Sequence, residues 1–362
     1  MVPLGTGCIY SMGLDSPKVV AMKRKGFTLI ELLVVIAIIA LLIGILLPAL
    51  GEARRQGKLA ICNSNYHQFA TATGTYSADF QDRIWANTWQ SKNWQSQMTP
   101  TNPVPGGVGT NDLEAAATQS IDIIRRRGNR NDLTFIAGWI PHVLYTHLVL
   151  QDYLAARLPE KMVVCPEDTQ RLNWQIDPTI RFDSGFWLPF QEAPSGNTTK
   201  RWPYSSSYQV VPASYDRTSI PANRIHQSFS ATNTYFVSTA AVLGGSKLGD
   251  VEFPALKVQL NDNTQRHYTS RDIYYAETLA QQPLLTFDGS ARVLKTKDAN
   301  QGWVPTTPAS ASATQMTYTP KAWEAPTTSG ATSVIVKGYY RWTRGGLKGV
   351  DFAGSEIDTG QP

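Results

Sequence analysis

One carboxylate stands inside the apolar run Phe27–Leu47, and its position demands a partner. The run reads FTLIELLVVIAIIALLIGILL, and Glu31 is its single charged residue. A carboxylate at the centre of a membrane helix costs roughly 2.5–3.5 kcal/mol on insertion scales, and less toward the interface. Pairing it with an ammonium group offsets that cost. The remaining chemistry-bearing residues are scattered. Five histidines occur (His67, His142, His147, His226, His267), and His142 and His147 are five residues apart, poor spacing for one helical face. They read as core or surface residues. No nucleophile elbow, phosphate-cradling loop, zinc-protease helix or paired metal-ligand run is present, and Gly244-Gly245-Ser246-Lys247 lacks the Walker spacing. The expectation is therefore a non-enzymatic chain with no cofactor and no metal site. Two oxygen-rich segments, Asn261-Asp262-Asn263 and the looser group Asp351, Glu356 and Asp358, offer atoms that calcium prefers, but they read more simply as solvated turns.

The elements that must position Glu31 follow from length and period. Phe27–Leu47 holds 21 residues. As a helix it spans about 30 Å, the thickness of a bilayer core. It carries no polar stripe of period 3.6, so every face must be buried in lipid or protein. A cleaved secretory signal fits poorly, because the apolar stretch is too long and no clean small-residue cut site follows. A plain membrane anchor would not need Glu31. Beyond Pro48 the pattern becomes amphipathic. Leu50, Ala53, Gly57, Ile61, Phe69, Ala72, Tyr76 and Phe80 recur mostly at steps of three and four, which predicts a helix from about 49 to 78.

Lys23-Arg24-Lys25-Gly26-Phe27-Thr28-Leu29-Ile30-Glu31-Leu32 resembles the prepilin peptidase site of type IV pilins and type II secretion pseudopilins. The resemblance implies cleavage between Gly26 and Phe27, N-methylation of Phe27, and a contact between Glu31 and the N-terminal amine of an adjacent subunit. It also implies that Pro48 interrupts the long helix. The implied fold is α+β and pilin-like: a long N-terminal helix packed on an antiparallel sheet, here with an enlarged globular head. The implied partners are a prepilin peptidase, further copies of this chain or other pilins, and the bacterial inner membrane, with the head outside the cytoplasm. The favoured function is a structural subunit of a type IV pilus-like or type II secretion pseudopilus filament, linked in the latter case to protein transport. The alternative is a membrane-anchored surface binding module, for polysaccharide among other ligands, that uses the same export route. Ten Trp and fifteen Tyr suit either a core or a sugar-gripping face.

Removing residues 1–26 as a leader would leave 336 residues. It would take away Lys18, Lys23, Arg24 and Lys25 against Asp15, so the net charge would fall from +5 to +2. The basicity of the whole chain thus belongs largely to the leader and gives no case for a nucleic-acid partner. Met22-Lys23-Arg24-Lys25-Gly26 is a complete short leader, which predicts a translation start at Met22. Processing would remove Cys8 and leave Cys62 and Cys165. Two cysteines in an exported chain invite a disulfide. Its loop of about 100 residues would make it worth several kcal/mol; the alternative is two buried free thiols.

The expected organisation is a leader over 1–26, a membrane and assembly helix over 27–47, an amphipathic stem over 48–80, an α/β part of the head over 81–200 and a β-rich part over 201–362. Within the head, 112–127 and 142–157 predict helices and Lys161–Cys165 a short buried strand. Arg125-Arg126-Arg127 suits a helix C-terminus better than a nucleic-acid patch. Strands are expected in SSSYQVV, TYFVSTAAVL, VEFPALKVQL, IYYAE and VIVKGYYRW. LLTF-DG-SARVL predicts a hairpin with a type I′ turn at Asp288-Gly289. It also resembles the C-terminal element of large pilin-like proteins with a His, nine residues, then Asp-Gly; here Thr278 holds the His position.

Overall fold

The computed structural model describes residues 26–91, 111–154, 157–184, 198–217, 226–227, 235–236, 242–268, 271–302, 313, 315–320 and 324–352. Lys23–Lys25, Met22, Cys8, Glu356 and Asp358 lie outside the described residues. The chain divides into two compact units, Met1–Ala53 and Arg54–Pro362.

Helix α1 runs Leu29–Asp79 and passes through Pro48 without a break. The interruption expected at Pro48 is not observed. A proline inside a helix withdraws one N–H donor, and the flanking turns keep the rest of the ladder. In the first unit the large apolar side chains are exposed, from Phe27 at 71% through Leu41 at 65% to Leu47 at 64%. An apolar surface of that extent belongs against lipid or other protein. Its length and composition suffice to cross a membrane.

In the second unit α1 turns amphipathic and buries Cys62, Asn65, Tyr66, Phe69, Ala72, Thr73, Tyr76 and Ser77. The steps of three and four persist, but the stripe is displaced from the expected one. Ile61 is 53% exposed and Phe80 46%, while Cys62 and Tyr66 are fully buried. This face packs on a four-stranded antiparallel sheet with spatial order β1-β2-β3-β4, where β1 is Tyr208–Val210, β2 Val258–Asp262, β3 Gln281–Thr286 and β4 Ala291–Lys295. Tyr208 pairs with Asp262 and Val210 with Leu260. A register shift falls between Val258 and Leu260 where β2 meets β3. Aromatic rings join helix to sheet: Tyr66 lies 4.8 Å and Phe69 5.8 Å from Tyr208, and Phe69 also stacks on Trp85 at 6.1 Å.

The β3–β4 hairpin forms where expected, with a different turn. Thr286 N–H donates to Ser290 and Gly289 N–H to Thr286, so three residues, Phe287 to Gly289, make the loop. Only Gly289 has positive φ, at 83°. This is a type I turn closed by a glycine bulge, the commonest three-residue hairpin. The Asp288 carboxylate favours it by accepting from Ser290 N–H at 2.9 Å.

Helix α2 runs Asp112–Gly128. Asn111 caps its first turn by accepting from Glu114 N–H at 3.0 Å, and Asn129, at φ 52°, supplies the left-handed residue that ends it. The helix expected over 142–157 is instead two 3₁₀ segments, Pro141–Val143 and Thr146–Leu150, followed by one α-turn, Gln151–Leu154. Lys161–Val163 is a 3₁₀ turn rather than a strand. Among the described residues between 81 and 200 the β pairing is limited to an isolated bridge from Arg83 to Lys247. The main core cluster draws on both sides of residue 200; a second one gathers α2, the 3₁₀ segments and Tyr204.

Candidate functional site

The first site is the start of α1. Thr28 is the N-cap and Glu31 the third helical residue. Glu31 N–H donates to Thr28 Oγ1 at 3.2 Å, and Thr28 N–H donates back to Glu31 Oε2 at 2.8 Å. The Thr28 hydroxyl donates to the same oxygen at 2.8 Å. This is a reciprocal capping box, which satisfies two of the N–H groups that a helix start otherwise leaves open. The Thr-x-x-Glu spacing that encodes it is in the sequence, hidden behind the reading of Glu31 as a charge in an apolar run. Both bonds from Thr28 fall on Oε2.

Gly26 stands two residues before the cap. A Cβ built on it would meet no atom within 4 Å. The fold therefore makes no demand for glycine there, and a requirement at that position must come from whatever binds the segment.

The second site lies in the head. Cys62 on α1, Cys165 just after the Lys161–Val163 turn and His267 just after the Thr264–Gln265 strand converge. Their ligand-capable atoms all lie within 4.8 Å of one another, and all three residues are buried. Both cysteines are free thiols in this structure. Cys165 Sγ is 3.2 Å from His267 Nε2, and Cys62 Sγ is 3.2 Å from the Tyr208 hydroxyl. Burial, aided by the neighbouring Cys62, pushes the Cys165 thiol well above its usual range. The backbone holds Cys165 firmly: its N–H donates to Ser207 Oγ at 3.0 Å and its carbonyl accepts from Asp168 N–H at 2.8 Å. The sequence offered Cys62 and Cys165 as a pair. It gave no signal for His267, 102 residues beyond Cys165.

Behind the cluster lies a charged network. Arg266 Nη2 is 3.2 Å from Asp168 Oδ2, and Arg266 also pairs with Asp262. Burial raises the Asp168 carboxyl, but Arg171 and Arg266 outweigh it and hold the group well below the usual carboxylate range. The Asn261-Asp262-Asn263 run is thus spent inside the protein. Asp262 serves Arg266, and the Asn263 side-chain oxygen accepts from Arg341 at 2.9 Å. Asp351 is likewise buried, 3.1 Å from Lys257 Nζ, and accepts from Val258 N–H at 2.7 Å. Neither is a solvated turn or an open cation loop.

The other candidates resolve as structural residues. Arg125 is buried and donates to the Leu133 carbonyl at 2.6 Å; Arg126 pairs with Asp122 and Arg127 with Asp152. His142 and His147 are buried, and His142 stacks on Tyr215 at 4.4 Å. Trp85, Trp139, Trp174 and Trp342 are buried, as are Tyr66, Tyr204, Tyr208, Tyr215, Tyr274 and Tyr340. Thr278 is exposed. Gly244 and Gly245, both with positive φ, line an open pocket with Arg83, Arg217 and Lys247.

Residues 21–47 match the prokaryotic N-terminal methylation motif. That motif and the long apolar N-terminal helix are features of prepilin-like proteins. Taken with the antiparallel sheet and globular head, the chain fits a type IV pilin or pseudopilin. No curated protein and no solved structure matches it.

Proposed function

We propose that this chain is a non-enzymatic structural subunit of a type IV pilus-like or type II secretion pseudopilus filament. A prepilin peptidase cuts between Gly26 and Phe27 at the inner membrane, and Phe27 is methylated. The apolar surface Phe27–Leu47 then leaves lipid for the matching surfaces of neighbouring subunits, and the head stays outside the cytoplasm. Glu31 carries the register. Its Oε2 is held by Thr28, and its charge meets the Phe27 ammonium of a neighbour, which offsets the cost of taking a carboxylate into an apolar bundle. Pro48 sits within the same helix and tolerates local adjustment as helices pack.

The observation that carries this reading is the methylation motif laid over a helix whose apolar face is exposed along its whole first half. Filaments sheared from cells that express the chain with its peptidase test it. The chain is expected in the filament fraction, and confinement to the membrane fraction would reject the role. The second reading, a sugar-binding surface module, would use exposed aromatics. The described tryptophans and tyrosines lie mostly in the core and do not favour that reading over the first. Its pull-down test on glycans needs the fragment 54–362, because residues 62–77 of α1 are part of the head's core.

A further inference from the structure

We propose that Cys62, Cys165 and His267 bind one zinc-type divalent cation that fastens the stem of α1 to the head. Three elements far apart in sequence place two sulfurs and one imidazole nitrogen within 4.8 Å of one another. In a tetrahedral site with metal–sulfur bonds near 2.3 Å and metal–nitrogen bonds near 2.0 Å, ligand atoms stand about 3.5–3.8 Å apart. The observed 3.2 Å from Cys165 Sγ to His267 Nε2 needs a few tenths of an ångström of opening, and the widest separation, within 4.8 Å, needs up to about 1 Å of closing. The Tyr208 hydroxyl lies 3.2 Å from Cys62 Sγ, a polar neighbour of the cluster.

The chemistry balances in a dry interior. Two thiols release two protons to solvent as two metal–sulfur bonds form, and two thiolates with one divalent cation make a neutral group. A neutral group avoids the desolvation cost that a lone thiolate or a lone cation would carry at residues with 0–3% exposure. His267 is the residue a disulfide does not explain. Joining the sulfurs would take the thiol away from Nε2, while Nδ1 already lacks a hydrogen-bond partner among the described residues. The imidazole would then be buried with neither nitrogen engaged, an expensive arrangement. A metal uses Nε2 directly.

The test uses the full chain, purified in detergent from cell membranes under a thiol-free reductant that does not bind metal. Zinc chloride is titrated against a chromophoric chelator, and cobalt substitution is read as a thiolate charge-transfer band. One equivalent should bind, with cobalt giving that band. His267→Gln should weaken zinc by at least about tenfold, and Cys62→Ser or Cys165→Ser should weaken zinc at least as much and cut the cobalt thiolate band by at least half. Tyr208→Phe should leave the band in place, and far-UV dichroism of each variant checks that it has folded. The zinc-induced rise in melting temperature of the unaltered chain reads binding without any substitution. No binding by the reduced chain, binding unchanged in the His267, Cys62 and Cys165 variants, or a Cys62–Cys165 disulfide found by non-reducing peptide mapping of the untreated protein would each overturn the proposal.

Discussion

The Thr28 backbone N–H and hydroxyl both donate to Glu31 Oε2 at 2.8 Å, so the charge proposed to meet a neighbouring subunit also fixes the start of its own helix. The two roles can be separated. A glutamine at position 31 keeps the acceptor that the cap needs and loses the charge. Glu31→Gln should leave helix content unchanged and reduce filament yield as far as Glu31→Ala does. Glu31→Ala should also remove the acceptor of the reciprocal cap and fray the helix start. Normal filaments from Glu31→Gln would mean that the cap, and not the charge, is what assembly uses.

Gly26 has open space around it. Gly26→Ala and Gly26→Leu should therefore fold alike and differ only in processing. Immunoblots should show Gly26→Ala largely cut and Gly26→Leu retained as precursor. Equal cutting of both would move the requirement away from this position.

Burial holds the imidazoles of His142 and His147 down at about 3, well under their ordinary value of 6.5. Below pH 6.5 the unfolded chain takes up protons that the folded chain refuses, so stability falls as pH drops from about 6.5 to 3. Each histidine contributes up to about 1.4 kcal/mol per pH unit in that window. Asp168 behaves differently. Its carboxyl is depressed by Arg171 and Arg266 despite burial, so its contribution persists until pH falls below about 4. Urea unfolding of residues 54–362 at pH 7.5, 6.0 and 5.0 should show the histidine slope. His142→Phe, which preserves a ring against Tyr215, should flatten it by about half. An unchanged slope would remove His142 from the account.

Phe69 and Ile61 both lie on the expected helix face, and only Phe69 lies on the observed one. Phe69 is 1% exposed and lies against Trp85 and Tyr208, whereas Ile61 is 53% exposed. Phe69→Ala should cost about 3–5 kcal/mol in urea unfolding of the same fragment. Ile61→Ala should stay within about 0.5 kcal/mol. Comparable losses would place Ile61 in the core.

Much of this architecture is legible in the residues, for reasons specific to each element. The run Phe27–Leu47 is too long and too apolar for anything but a helix in lipid or protein, and Asp288-Gly289 between alternating runs marks a hairpin whatever its turn type. The stripe on α1 is recovered at Phe69, Ala72 and Tyr76. It slips at Ile61, because Ile61 and Cys62 are adjacent apolar residues and periodicity alone cannot choose between them. His142–Arg157 mimics an α-helix in composition, and its 3₁₀ turns follow from tertiary packing around Leu148 and Leu150, which no local pattern encodes. The Cys62, Cys165 and His267 cluster is illegible for a similar reason. It is assembled by a helix, a turn and a strand end, each contributing one ligand, so it has no spacing to read.

Prepilin processing is what delivers this chain under the proposed function. Mass spectrometry of the N-terminal peptide of the protein isolated from cells tests it most directly. The chain should begin at Phe27 with a methyl group on its amine; a chain that still carries residues before Phe27, or that begins beyond Leu47, would contradict prepilin processing.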